Sequence, residues 1–291
     1  MLKIKQMTRL ELAPLMLFVS IFSVAASAAM AQSVQSTKKL PDKQPARAQS
    51  NMCPPTQVFT YGTAAQKFNF CISDHGNIQK LESPGPYLEI NTGEGYVVCS
   101  QSGVSGFDAG FAEDGWGAAT VSQPGGANTL PLTITRQSTD GKFELKQTFD
   151  WNGLEKEVSI AMELKNLTAA SITNIQVTRY FDGDLGGNGS DDTYTSIKDS
   201  VFGLDFTPNA YKSQGIMLTA LSLNVPHSFQ IESFGHWNPI GNLEQTARQC
   251  LSSTPLASPA SSNDLLGRLI YNLGTLGAGG AKKVLMVYRR I

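Results

Sequence analysis

Apolar and polar residues alternate with a period of two over much of the chain, the spacing of a strand that buries one face. In KFNFCIS, Phe68, Phe70 and Ile72 share one face while Asn69, Cys71 and Ser73 share the other. Asp74-His75-Gly76-Asn77 then supplies turn residues and IQKLES runs back, so a hairpin is expected with His75 at its tip. FELKQTFDW sets Phe143, Leu145, Phe149 and Trp151 against Glu144, Lys146, Thr148 and Asp150, with Gln147 a polar exception on the apolar face. In KEVSIAMELKNLT, Val158, Ile160, Met162 and Leu164 point inward, and Ser159, Ala161, Glu163 and Lys165 outward. Thr168–Ser171 turns the chain into ITNIQVTRYF, where Arg179 falls in register with inward Ile175, Val177 and Phe181. An arginine there either lines a polar pocket or marks a bulge. Buried, it needs a carboxylate partner, and Asp182 and Asp184 are near in sequence.

GIMLTALSL and KKVLMVYRRI add two more apolar strands, and Leu243, Ala247 and Leu251 recur at helical spacing in one short stretch. Many strands, frequent turn residues and little helix predict an all-β fold. The expected form is a large antiparallel β-sandwich over 53–291 with at most one or two short helices. Two fused smaller sandwiches, with a seam in the Gly-rich stretch 102–128, are a variant of that expectation. An outer-membrane barrel is the other all-β option, disfavoured by the non-aromatic last residue and the lack of paired aromatic girdles.

The N-terminus breaks the alternation. Lys3, Lys5 and Arg9 precede the run LAPLMLFVSIFSVAASAAM, and Ala29-Met30-Ala31 offers small residues for cleavage. This is the layout of a secretory signal peptide over 1–31, which predicts a secreted or periplasmic protein. An uncleaved anchor competes with that reading, because the run is near the ~17–18 residues that can span a bilayer. No second long apolar run follows, so no stable membrane span is expected after cleavage. Residues 32–52 are polar and nearly free of large apolar side chains, the composition of a disordered arm. Of 23 basic and 24 acidic residues, Lys3, Lys5, Arg9 and Glu11 fall in the signal, which leaves a net of −3. With no basic block anywhere, nucleic acid is not an expected partner.

Four cysteines remain after cleavage, Cys53, Cys71, Cys99 and Cys250, none spaced as CxxC. An even count in an exported chain suggests two disulfides rather than a metal site, and three pairings are open. The strand-like settings of Cys71 and Cys99 favour joining those two, with Cys53 tying the N-terminal arm to Cys250.

The segment LKNLTAASITNIQVTRYFDGDL, the following DDTYTSIKDSVFG and the ending YNLGTLGAGGAKKVLMVYRR carry a resemblance. They resemble exported bacterial β-sandwich proteins and the large sandwich domains appended to some carbohydrate-active enzymes. In those chains the first segment is a hairpin between neighbouring strands and the last leads through a turn into the closing strand. The resemblance implies the architecture and carries over no catalytic residue.

The sharpest chemical signal is YFDGDLGGNGSDDTY, Tyr180 to Tyr194. Asp182 and Asp184 could place two carboxylates on one side of a tight turn. Gly186, Gly187 and Gly189 allow the chain to curl, and Asn188, Asp191 and Asp192 offer further oxygens, a donor set suited to Ca2+. An EF-hand is excluded, because Gly186 and Thr193 stand where an oxygen ligand and the bidentate Glu belong. A solvated turn is the alternative, since the same residue types build turns; the local excess of negative charge favours the cation.

No HExxH, GxSxG or P-loop occurs, and His75, His227 and His236 read as surface or packing residues. Glu113-Asp114, in FAEDGWG, is the most enzyme-like acidic pair. Trp116, Trp151 and Trp237, with Tyr87, Tyr96 and Tyr211, could form a sugar-stacking platform. The reading that follows is a non-enzymatic binding or surface-interaction module, with Trp116, Trp237 and Arg179 as binding candidates and carbohydrate or another envelope protein as partner. A carbohydrate-active enzyme using Glu113, Asp114 or His236 is the alternative. A structural envelope protein that assembles through edge strands is a third reading.

Overall fold

The computed structural model describes residues 53–62, 67–82, 88–89, 94–108, 113–151, 153, 156–182, 184–185, 192–205, 214–233 and 265–291. A 3-10 turn at Pro55–Gln57 leads into β1 (Val58–Tyr61), β2 (Phe68–Ile72), β3 (Ile78–Glu82) and the two-residue β4 (Leu88–Glu89). Next come β5 (Gly95–Ser100), β6 (Gly103–Asp108), β7 (Glu113–Asp114) and β8 (Thr120–Ser122). The longer β9 (Leu132–Gln137), β10 (Phe143–Asp150), β11 (Glu157–Asn166) and β12 (Ile172–Phe181) follow, then the short β13 (Asp184–Leu185). The described chain ends with β14 (Asp192–Ile197), β15 (Ser200–Asp205), β16 (Gln214–Ala220), β17 (His227–Ser233), β18 (Leu265–Leu276) and β19 (Ala281–Arg290).

These strands form an antiparallel β-sandwich. One sheet has eight strands in the order β14-β15-β16-β19-β11-β10-β9-β8, and the other has six, β17-β18-β12-β5-β6-β7. A three-stranded sheet, β1-β2-β3, and the pair β13-β4 complete the set. Among the described residues no helix is long and apolar enough to cross a membrane.

The alternation read from the sequence is the burial pattern observed. On β11, Val158, Ile160, Met162 and Leu164 are buried while Lys165 is exposed. On β10 every second residue from Phe143 to Phe149 is buried, the polar Gln147 included. Leu145, Phe149, Ile160 and Met286 of the eight-stranded sheet share one core with Val98, Val177 and Leu269 of the six-stranded sheet. Each such side chain contributes about 1.5–3 kcal/mol on burial, before the ordering cost.

Two expectations are corrected. Cys71 is bonded to Cys53, not to Cys99, so Cys53 does not tie the arm to Cys250. The reason is register. β1 lies against β2 with Val58 opposite Cys71, which brings the segment that begins at Cys53 beside β2. Cys99 is buried on β5 in a different sheet, and Cys250 lies outside the described residues. The bulge considered for Arg179 lies earlier on β12, where the register against β18 shifts between Ile172 and Gln176 and Asn174 takes a φ of 53°. Arg179 itself pairs regularly with Leu269 and Tyr96. The helix expected near 242–251 falls outside the described residues.

Candidate functional site

The Ser73–Asn77 turn between β2 and β3 is buried, although turns normally lie at the surface. His75 is 7% exposed and Ser73 and Asn77 are fully covered. Ser73 shapes the turn by accepting, at its hydroxyl, from the N–H groups of His75 (3.3 Å) and Asn77 (3.1 Å). Gly76 takes a φ of +89°, and a Cβ there would collide with the Gln147 amide. Only glycine meets both conditions without strain.

A buried turn must find partners for its backbone polar groups. The His75 carbonyl accepts from the Tyr96 hydroxyl at 2.8 Å and from Gln147 Nε2 at 3.2 Å. The Gly76 carbonyl accepts from Arg179 Nη2 at 2.8 Å, and the Ile78 N–H donates to Glu94 Oε2 at 2.6 Å. Donors and acceptors from both large sheets thus converge on one short turn.

Arg179 and Glu94 form the first of two charge clusters, with no side-chain exposure on either. The guanidinium bonds Glu94 through Nε and Gln147 Oε1 through Nη1 (2.6 Å). It lies over the rings of Tyr96 and Phe149 at 5.8 and 5.6 Å. Tyr288 on β19 donates to Glu94 Oε1 at 3.0 Å. Burial pushes the Glu94 carboxyl up, against the opposing pull of Arg179.

The second cluster joins His75, Asp108, Glu113 and Arg136. His75 Nδ1 lies 3.2 Å from Asp108 and 2.9 Å from Glu113. Arg136 reaches the same two carboxylates, Nη1 to Asp108 at 2.8 Å and Nη2 to Glu113 at 2.7 Å. Its Nε donates to the Gly117 carbonyl at 3.0 Å, and its guanidinium lies 5.9 Å from the Trp116 ring. Asn77 Nδ2 donates to the other oxygen of Asp108. Burial alone would lower the His75 pKa, but the hydrogen bonds to Asp108 and Glu113 and the charge of Asp108 outweigh it. They outweigh the opposing Arg136 as well, and raise the value to about 9. The imidazole is therefore charged at neutral pH.

Ligand atoms of His75, Asp108 and Glu113 lie within 4.8 Å of one another, a spacing that could hold a metal ion. Arg136 already bonds both carboxylates, and with the imidazolium it balances their two charges. A dication would have to displace two cations. The arrangement is better suited to fastening the turn than to gripping a metal. Its member nearest to water is Glu113, with a side chain 32% exposed.

The residues singled out from the sequence are placed differently. Arg179 is fully buried, and its carboxylate is Glu94 rather than Asp182 or Asp184. Glu94 precedes β5, the strand beside β12, so sheet pairing decided the partner and sequence distance did not. Trp116 is 7% exposed and packs 5.7 Å from the buried Tyr96, so these two rings belong to the core and not to an exposed platform. Trp151 is half-buried and stacks on Tyr61. Trp237, Tyr87, Tyr211 and His236 lie outside the described residues or their described side chains. Of the aspartate loop, Asp182 is buried at the end of β12, Asp184 pairs with Glu89 across β13 and β4, and Asp192 pairs with Asp205. Asn188 and Asp191 lie outside the described residues. His227 is on an edge strand, its Nε2 3.3 Å from Asp199. His75, read as a turn tip, is instead the centre of the second cluster. Asp108, Arg136 and Glu94 carried no sequence signal, whereas Gln147 and Arg179 did: each broke an apolar face, and they bond each other.

No protein-family model matches the chain, and no curated protein is detectably similar to it in sequence. Solved structures are similar in fold. A bacterial glucoamylase complexed with acarbose overlays with a TM-score of 0.56 at 11% identity, over 86% of this chain and 33% of that one. The chain thus spans about a third of that enzyme's length. A polysaccharide lyase (TM-score 0.39, 8% identity, 80% of this chain and 32% of that one) is also similar. So is a galactose mutarotase related enzyme from Lactobacillus acidophilus (0.37, 9%, 80% and 97%). The glucoamylase overlay shows a shared sandwich fold.

Proposed function

We propose that the chain is an exported, non-enzymatic β-sandwich module that binds carbohydrate. The observation that carries the non-catalytic part is the state of Glu113, the most enzyme-like acid in the sequence. Its carboxylate is held by His75 at 2.9 Å and Arg136 at 2.7 Å, in a cluster whose charges already balance. A general acid needs a free line to the bond it protonates, and the two cations already occupy this carboxylate. The carbohydrate part is supported by the fold shared with one third of a glucoamylase. Calcium at Asp182, Asp184, Asn188, Asp191 and Asp192 belongs to the same proposal. Added Ca2+ then raises the thermal midpoint measured in EDTA by several degrees, as a ligand specific to the folded state does; coincident curves remove the metal from the account.

The test runs the purified protein in gels containing neutral and acidic polysaccharides and assays the same polysaccharides for newly formed reducing ends. Retarded migration without product supports the module. Turnover that disappears in Glu113→Gln replaces it with the second reading, a carbohydrate-active enzyme. That reading is favoured by one observation: Glu113 is partly exposed beside a charged histidine.

A further inference from the structure

A row of aromatic rings runs through the three-stranded sheet and ends at the surface. Phe68 and Phe59 lie 5.4 and 5.0 Å from Phe70, and all three are buried. Tyr61 lies 5.9 Å from Phe70 and stacks on Trp151, with centroids 3.7 Å apart and planes 27° from parallel. Tyr61 and Trp151 are only half-buried, so the row reaches solvent there.

The polar surroundings of that end are specific. Asp150 is exposed, and its Oδ1 accepts from the backbone N–H of Trp151 at 2.8 Å, which fixes the orientation of the carboxylate. Burial and the charge of Asp150 both push the Tyr61 phenol pKa up, so the carboxylate acts on the phenol as well. The Ser159 hydroxyl donates to the Asp150 carbonyl at 3.1 Å and fixes the backbone from the adjacent strand. Gly153 is exposed, and a Cβ built there would stand 4.0 Å from the Trp151 ring. Gly153 therefore lies beside the indole ring.

We infer that Tyr61, Trp151 and Asp150 form a subsite for a neutral pyranose ring of a polysaccharide. This deepens the proposed function and rests on it. A pyranose has an apolar face of C–H groups that packs on an aromatic surface, and a rim of hydroxyls that donate to a carboxylate. A fixed, solvent-facing carboxylate repels uronates, which selects neutral sugars over acidic ones. Trp116 and Tyr96 cannot serve in this way, because both are enclosed in the core.

The experiment is affinity electrophoresis of the purified protein in gels containing soluble starch, laminarin, xylan, galactomannan or hyaluronan, with tryptophan emission recorded as each is added. The wild-type chain is retarded by at least one of the neutral polymers and not by hyaluronan. Trp151→Ala weakens that retardation about tenfold, the scale of one aromatic stacking contact. Trp151→Phe keeps a ring against Tyr61 and so preserves the far-ultraviolet circular dichroism and the thermal midpoint. It still loses the polymer-induced change in emission and part of the affinity. Unchanged affinity in both variants, with the emission response intact in Trp151→Phe, overturns the subsite and leaves the proposed function standing. Retardation by hyaluronan alone overturns the neutral-sugar assignment. No retardation of the wild type in any gel overturns the subsite together with the proposed function.

Discussion

The clusters centred on Glu94 and on Asp108 grip the same turn with similar chemistry, yet they treat their ionisable groups in opposite ways. Glu94 and Arg179 are both sealed from water, and there burial dominates and pushes the carboxyl up. In the other cluster two carboxylates face His75, one of them reaching solvent, and together they hold the imidazole charged up to about pH 9. The difference is one of stoichiometry as much as of depth. A single buried carboxylate facing a single cation cannot recover the full hydration of both. Two carboxylates with two cations share their hydrogen bonds, and the partly wet Glu113 lowers the desolvation cost for the group as a whole.

Truncating the sealed pair tests this contrast most severely. Glu94→Ala strands a guanidinium in the core, with an expected loss of about 3–5 kcal/mol in urea unfolding, and Glu94→Ala with Arg179→Met recovers part of it. A loss under about 1 kcal/mol would mean that Arg179 finds water or another partner, and the contrast would collapse.

The pH dependence comes next in size. The folded pKa of His75 lies above its free value of about 6.5. Its stabilising contribution is therefore complete below about pH 6.5 and is lost as pH rises through about 9. The unfolding free energy from urea titrations should fall between about pH 6 and pH 9.5 by an amount on the order of 2–3 kcal/mol, and His75→Gln should remove most of that fall. A variant that keeps the full wild-type slope assigns the effect to other groups.

Gly76→Ala sharpens the comparison at the point the clusters share. The substitution strains a φ of +89° and drives a methyl into Gln147, so both clusters lose geometry at once. The expected loss is about 1–3 kcal/mol by the same unfolding assay. A neutral result would show that the turn can shift without disturbing either cluster.

The sheet architecture was legible because one buried face leaves period-two alternation, as on β10, β11 and the closing β19. Part of the interior site was legible as well, in the two places where alternation was broken by a polar residue. Gln147 and Arg179 stood on apolar faces for a reason, and the reason was each other. What alternation could not supply was the partner. Glu94 and Arg179, or Asp108 and Arg136, are brought together by sheet order, a long-range property with no local trace. The position of His75 differs from the sequence reading because turn residues are ordinarily exposed, whereas groups from both large sheets close on this one. The disulfide differs for a related reason: strand character of Cys71 and Cys99 did not reveal that they belong to different sheets, while the pairing of β1 with β2, which sets Val58 opposite Cys71, was decisive.

The most direct test of the account is the side-chain titration of His75 followed by two-dimensional NMR, with His75→Gln used for assignment among the three histidines. The account predicts an imidazolium that persists to about pH 9, with a lower midpoint in Glu113→Gln as one of its two carboxylates becomes neutral. A wild-type midpoint near the free value of about 6.5 would contradict it. The turn would then not be held by a charged histidine, and Glu113 would be available for chemistry of its own.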